Sequence, residues 1–237
     1  MMQGRKSGVG IEIVANPMPE PALLDGVCFR PRDPTFPVDV LILHTCYVPE
    51  KLRAAGVSAA AGGATITTGD SSAKELGKRW RESGAASDEN LAIYALIMGR
   101  LGEDGFARYN VASVKAMFEF YGVSAHYVVD REARIHELVP PSLLAFHAGK
   151  SKLPSDGREA LNNYSIGVEL LCGEDESPTA AQVVALARLT EFLMQSYPIE
   201  AIYGHSDIAP GRKTDPWNFS WPGYLEMLSR KPRHHPG

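Results

Sequence analysis

The densest run of chemistry-bearing side chains lies near the end of the chain, in Tyr203–Trp217, YGHSDIAPGRKTDPW. His205, Asp207, Arg212, Lys213 and Asp215 are set among two prolines and two glycines that work against regular helix or strand. Charges collected in such a segment need a purpose, and their donor types suggest one. Zinc takes imidazole nitrogen and carboxylate oxygen, and a catalytic zinc keeps three protein ligands with a fourth position open to water. A second histidine, His44, closes the strand pattern VDVLILHTC, where Val38, Val40 and Ile42 share a face that His44 continues. His205 likewise follows a strand pattern, IEAIYGH. Two histidines at strand ends and one loop carboxylate make His44, His205 and Asp215 a candidate metal set. A lone strand-end histidine is as readily a packed structural residue, and the helical HExxH spacing is absent.

The elements that must position these groups are legible from periodicity. Residues 15–37 carry six prolines, which predicts an irregular arm over 1–37. An Ala/Gly/Thr/Ser-rich passage, AAGVSAAAGGATITTGD, reads as a surface loop, followed by helical patterns at 72–83, 89–100 and 111–121. SAHYVVD and ARIHELV read as strands joined by a turn near Arg131, and YSIGVELL as another strand. TAAQVVALARLTEFLMQSY is an amphipathic helix whose Thr179 and Gln182 have capping-box spacing, and WPGYLEMLSRK closes the chain as a helix. Strands interleaved with helices, some of them hairpin-linked, predict an α/β fold with a mixed central β-sheet flanked by helices. Both candidate histidines then fall at the C-terminal strand edge, where open α/β sheets gather ligands.

Composition excludes several classes. At 237 residues the chain suits one domain, and 24 Lys and Arg against 28 Asp and Glu, mixed in sign along the chain, signal no nucleic-acid or acidic-lipid partner. Three cysteines without paired spacing, Cys28, Cys46 and Cys172, indicate neither a disulfide framework nor a Cys-rich zinc site. The start lacks a secretory apolar run and no segment has the length of a membrane span, so a cytoplasmic protein is expected, with export the alternative if a leader precedes this sequence.

LILHTC, SAHYVVDREARIHELVP, AFHAG, NNYSIGVELL and GHSDIAPGRKTDPW follow one another in an order and character that resembles the type 2 N-acetylmuramoyl-L-alanine amidases, a zinc family sharing its fold with the peptidoglycan recognition proteins. The resemblance covers roughly residues 38–225 and is closest to the anhydromuramyl-peptide amidases of cell-wall recycling. It implies a catalytic domain over 38–230 with an extended insertion at about 47–122, between the 1–37 arm and a 231–237 tail. It implies Zn2+ on His44, His205 and Asp215, with Glu169 as the catalytic carboxylate and Lys213 as the catalytic lysine. His147 and Asn163 match positions near the substrate groove. Without the resemblance, Glu169 reads as a strand carboxylate and Lys213 as a solvated loop charge. The implied reaction is hydrolysis of the amide between (anhydro-)N-acetylmuramic acid and L-alanine in peptidoglycan or its fragments. The alternatives are a non-catalytic peptidoglycan-binding module and a zinc amidase acting on another acylated peptide. Trp217 where the family usually has Gly, Phe146 where Trp is usual, and the long segment between Cys46 and Ser124 depart from the pattern.

Overall fold

The computed structural model describes residues 4–6, 11–18, 28–50, 52–54 and 107–229. The helical patterns at 72–83 and 89–100, the Ala/Gly-rich loop beyond residue 54, most of the expected insertion and the 231–237 tail lie outside the described residues.

A mixed sheet of seven strands organises the rest: β1 (Gly4–Lys6), β2 (Glu12–Ala15), β4 (Val40–Cys46), β5 (Tyr127–Val129), β6 (Ile135–Glu137), β8 (Ser165–Leu171) and β9 (Ala201–Gly204). Their spatial order is β1-β2-β6-β5-β8-β4-β9, and β3 (Phe29–Pro31) pairs with β7 (Leu143–Ala145) in a small separate sheet. β5, β8, β4 and β9 run parallel, whereas β5 and β6 form the expected antiparallel pair. Asp130 closes that hairpin, its Oδ1 accepting from Glu132 N and Arg134 N.

The arm expected to be irregular over 1–37 contributes β1, β2 and β3. Proline prevents further pairing only where it sits, because it lacks an N–H and fixes φ. Pro17 lies beyond β2 and Pro31 ends β3, so each strand is complete before its proline interferes. β2 pairs in parallel with β6, a partner more than a hundred residues away that no local pattern announces.

Alternation along β4 divides the core. Val40 and Ile42 pack with Ala148, Leu153, Leu161 and Ile208 on one face, beside a cluster where α1 (Val111–Tyr121) covers Val128 and Leu171. Leu41 and Leu43 point the other way, joining Ile166, Val168 and Leu170 beneath α2 (Ala180–Ser196). Each of these fully buried leucines and isoleucines contributes roughly 1.5–3 kcal/mol by leaving water. Val38, expected on the face of Val40, packs with the opposite cluster: it precedes the strand, and the period-two rule holds only within the ladder. The capping box of α2 is present, and the buried Gln182 also donates Nε2 to Val129 O and Leu171 O, tying the helix start to the sheet. The closing helix spans Trp221–Ser229.

Candidate metal centre and active site

β4, β8 and β9 deliver the site by register. His44 of β4 lies opposite Glu169 of β8, and registered partners on parallel strands project to the same face. β9 runs on the other side of β4 and ends at Gly204, so His205 emerges beside His44. The Tyr203–Trp217 run is not wholly irregular, since His205–Ile208 form one helical turn, α3, before Pro210 and Gly211 redirect the chain. Asp207 Oδ2 accepts from Gly204 N at 2.7 Å, and Arg212 donates to Ala148 O and Lys150 O, so both side chains hold loop backbone. Ser206 N donates to Asp215 O, and Trp217 N donates to Thr45 Oγ1, which fixes the approach of Asp215 to β4.

His44 Nδ1, His205 Nδ1 and Asp215 Oδ2 form a buried triangle with edges of 3.0, 3.1 and 3.4 Å. Ligand bonds of about 2.0–2.1 Å at a tetrahedral angle put donor atoms about 3.3–3.4 Å apart, so one ion suits all three. Both imidazoles turn Nδ1 inward and Nε2 outward. His205 Nε2 donates to Ala148 O at 3.3 Å, and His44 Nε2 meets His147 Nδ1 at 3.1 Å. Burial lowers the His44 pKa to about 4, leaving the ring in the neutral form that ligates metals. Burial alone would raise the Asp215 carboxyl, but its close contacts with the His205 and His44 rings hold it below the usual carboxylate range. This group of two imidazole nitrogens and one carboxylate oxygen can hold a metal ion.

Glu169 lies beside the triangle, buried, with Oε2 lacking a hydrogen-bond partner among the described residues. Burial, reinforced by the Asp215 charge, pushes its pKa up to about 8, a value suited to taking and returning a proton near neutral pH. Burial and then the Glu169 charge push the Cys46 thiol well above its ordinary value, which removes it as a nucleophile. A cleft of about 560 Å³ opens over these groups, with Lys213 and Trp217 on its wall. Lys213 is exposed there. Trp217 stands edge-on to Tyr47 at 5.8 Å and donates Nε1 to Thr214 Oγ1, and its backbone φ is not positive. Its replacement of the usual Gly therefore reshapes the cleft wall without straining the chain.

The structure brings His44, Glu169, His205, Lys213 and Asp215 to one cleft, with His147 at its base. His147 is buried and uses both ring nitrogens within the protein, on His44 and on Ser165 Oγ. Asn163 does not line that cleft; its Nδ2 donates to Ala160 O, and its Oδ1 accepts from Arg30. The preceding Asn162 is the one that shapes the site, its Oδ1 accepting from His147 N and Ala148 N. Ser165, Gly167 and Arg32 were also missed. Ser165 and Gly167 share the β8 face with Glu169 at spacing i, i+2, i+4, and that alternation was a usable signal. Arg32 donates to the carbonyls of Pro141, Asn162, Asn163 and Ser165, contacts that no sequence pattern announces.

Buried nitrogen and carboxylate donors at a strand edge, next to a buried carboxyl with one oxygen unpartnered among the described residues, have the layout that metal-assisted hydrolysis requires. Residues 34–218 match the Amidase_2 family model, N-acetylmuramoyl-L-alanine amidase, and the chain belongs to that family. It is 42% identical over 110 residues to the 1,6-anhydro-N-acetylmuramyl-L-alanine amidase AmpD of Haemophilus influenzae, covering 45% of this chain and 59% of that protein. The AmpD of Escherichia coli is 41% identical over 112 residues, covering 46% of this chain and 60% of its own. The chain thus spans about three-fifths of the length of the curated relatives it matches. Among solved structures, a selenomethionine AmpD derivative superposes with a TM-score of 0.51 at 26% identity, over 91% of this chain and 93% of that one.

Proposed function

We propose that this chain is a zinc amidase that hydrolyses the bond between anhydro-N-acetylmuramic acid and L-alanine in peptidoglycan fragments. The observation that carries the reading is the buried triangle of His44, His205 and Asp215 with Glu169 set beside His44 by strand register. Family membership and the AmpD relatives, whose name specifies that bond, support the substrate. The catalytic unit in this reading runs over 38–230, with Glu12–Ala15 added as a strand of the same sheet.

Zinc on two imidazoles and one carboxylate supplies Lewis acidity and makes water nucleophilic near neutral pH. The protein's own groups do the rest. Glu169, whose buried Oε2 has no partner among the described residues and whose pKa is raised, takes the proton of the attacking water and returns it to the departing amine. Amines leave poorly unless protonated, so the same carboxyl serves both halves of the reaction. Lys213, on the cleft wall, offers a compact cation to the oxyanion that develops on the amide oxygen. Trp217 and Phe146 give the cleft an aromatic wall for the apolar faces of a sugar or peptide.

A cytoplasmic setting belongs to the same reading, in keeping with the resemblance to the anhydromuramyl-peptide amidases of cell-wall recycling. No helix among the described residues is long and apolar enough to cross a membrane. The direct test incubates zinc-loaded protein separately with an anhydromuramyl peptide and with intact murein, and identifies products by mass. Release of free stem peptide from the fragment is expected. Failure to cleave either substrate with zinc bound overturns the amidase reading, and cleavage confined to murein overturns the fragment preference.

A further inference from the structure

We propose that Ser165 and His147 are positioning residues that fix the tautomer of His44, so that its Nδ1 lone pair faces the metal position. The inference rests on the reading of a metal at the His44, His205 and Asp215 triangle, and it follows from where each hydrogen must lie.

Ser165 Oγ is 2.6 Å from Leu161 O, a separation that places a hydrogen between the two oxygens. Only the hydroxyl has one to give, so Ser165 donates to Leu161. Its oxygen is then an acceptor toward His147 Nε2, 3.2 Å away, and that nitrogen must carry the ring's proton. The neutral His147 ring therefore presents a bare Nδ1. The 3.1 Å contact between His147 Nδ1 and His44 Nε2 needs one hydrogen, and His44 supplies it. His44, with its proton on Nε2, is left with a lone pair on Nδ1, directed at His205 Nδ1 and Asp215 Oδ2. The opposite tautomer of His147 would leave its Nε2 facing the Ser165 oxygen without a hydrogen, make His147 Nδ1 the donor to His44 Nε2, and put an N–H into the triangle.

The relay is built into the fold. Ser165 comes from the first residue of β8, and its acceptor Leu161 from the 3-10 turn Leu161–Asn163 just before it. Ser165 is fully buried, His147 almost so, and no solvent competes for these hydrogens. Gly167, two residues along the same face of β8, leaves room for the imidazole: a Cβ there would overlap the His147 ring. Asn162 Oδ1 holds the backbone of His147 and Ala148 from the other side.

Partners that orient a ligating imidazole typically matter by about 10–100-fold in metal affinity, which sets the test. Zn2+ affinity would be measured by competition with a chromophoric chelator for wild type, Ser165→Ala, His147→Leu and His147→Asn. The melting temperature of each metal-free protein would report folding, and long-range 15N–1H NMR the ring tautomers. The Asn amide oxygen stands where His147 Nδ1 stood and can accept from His44, whereas Leu cannot. Expected are losses of about 10–100-fold in zinc affinity for Ser165→Ala and His147→Leu, retention within about threefold for His147→Asn, and Nε2–H tautomers for both rings in wild type. Equal affinity in all four proteins, equal loss in the Asn and Leu variants, or an Nδ1–H tautomer at His147 would overturn the proposal. The wild-type spectrum decides alone if a variant fails to fold. A wild type that binds no zinc would instead overturn the metal reading, so the two failures are distinguishable.

Discussion

Gly167→Ala adds a single methyl group at the floor of the site, and its consequence can be worked from contacts alone. The new Cβ would overlap Cγ, Nδ1 and Cδ2 of the His147 ring. That ring has little room to retreat, being edge-on to His44 at 5.2 Å and to His126 at 5.5 Å, with Ser165 at its far nitrogen. Either β8 shifts or His147 leaves its rotamer. Overpacking of a buried site costs about 1–3 kcal/mol, which for a domain of this size lowers the melting temperature by about 2–12 °C. Displacement of the ring also removes the acceptor from His44 Nε2, so zinc affinity falls by about 10-fold or more. Thermal melts of metal-free protein and chelator competition measure the two effects separately. Gly223→Ala in the closing helix is the matched control. Its Cβ would meet Ser220 Oγ at 3.3 Å, a contact that rotation of one hydroxyl can relieve, so stability there should change by no more than about 1 kcal/mol. Unchanged melting and unchanged zinc affinity in Gly167→Ala would refute the packing argument.

Three further outcomes follow. Glu169→Gln should keep its zinc, because Glu169 is beside the triangle and not in it, yet lose about 100-fold or more in kcat; near wild-type turnover on a muramyl peptide would assign the proton transfer to another group. Lys213→Met should lower kcat by about 100-fold, a cost of about 2.7 kcal/mol, with KM nearly constant if the ammonium meets the oxyanion. A rise in KM alone would place the lysine on a substrate carboxylate instead. Arg32→Lys should destabilise the fold by at least about 2 kcal/mol in urea unfolding, because one ammonium cannot reach the four carbonyls that the planar guanidinium spans; equal stability would show those carbonyls to be satisfied without it.

Much of the site was open to local reasoning. Period-two alternation put His44 on the face of Ile42, although β4 runs two residues further to Cys46, and the strand pattern IEAIYGH delivered His205 just past β9. Donor chemistry made Asp215 a candidate ligand, and the motif resemblance singled it out. The Thr179 cap, the α2 pattern and the β5–β6 hairpin were legible because each depends on residues within a few positions of one another. Glu169 was different: in sequence it is one carboxylate in a strand, and only the motif resemblance marked it out. Tertiary structure makes it a neighbour of the metal position, because β8 pairs with β4 in the register that sets Glu169 against His44. The strands hidden in the proline-rich arm, the reach of Arg32 from residue 32 to carbonyls at 141–165, and the choice of Asn162 over Asn163 depended on the same kind of long-range pairing. So did the contact of His147 with Gly167. A sequence window reports the face on which a side chain lies; which strand comes to lie beside that face is decided by burial summed over the whole sheet, and that sum exists only in the folded chain.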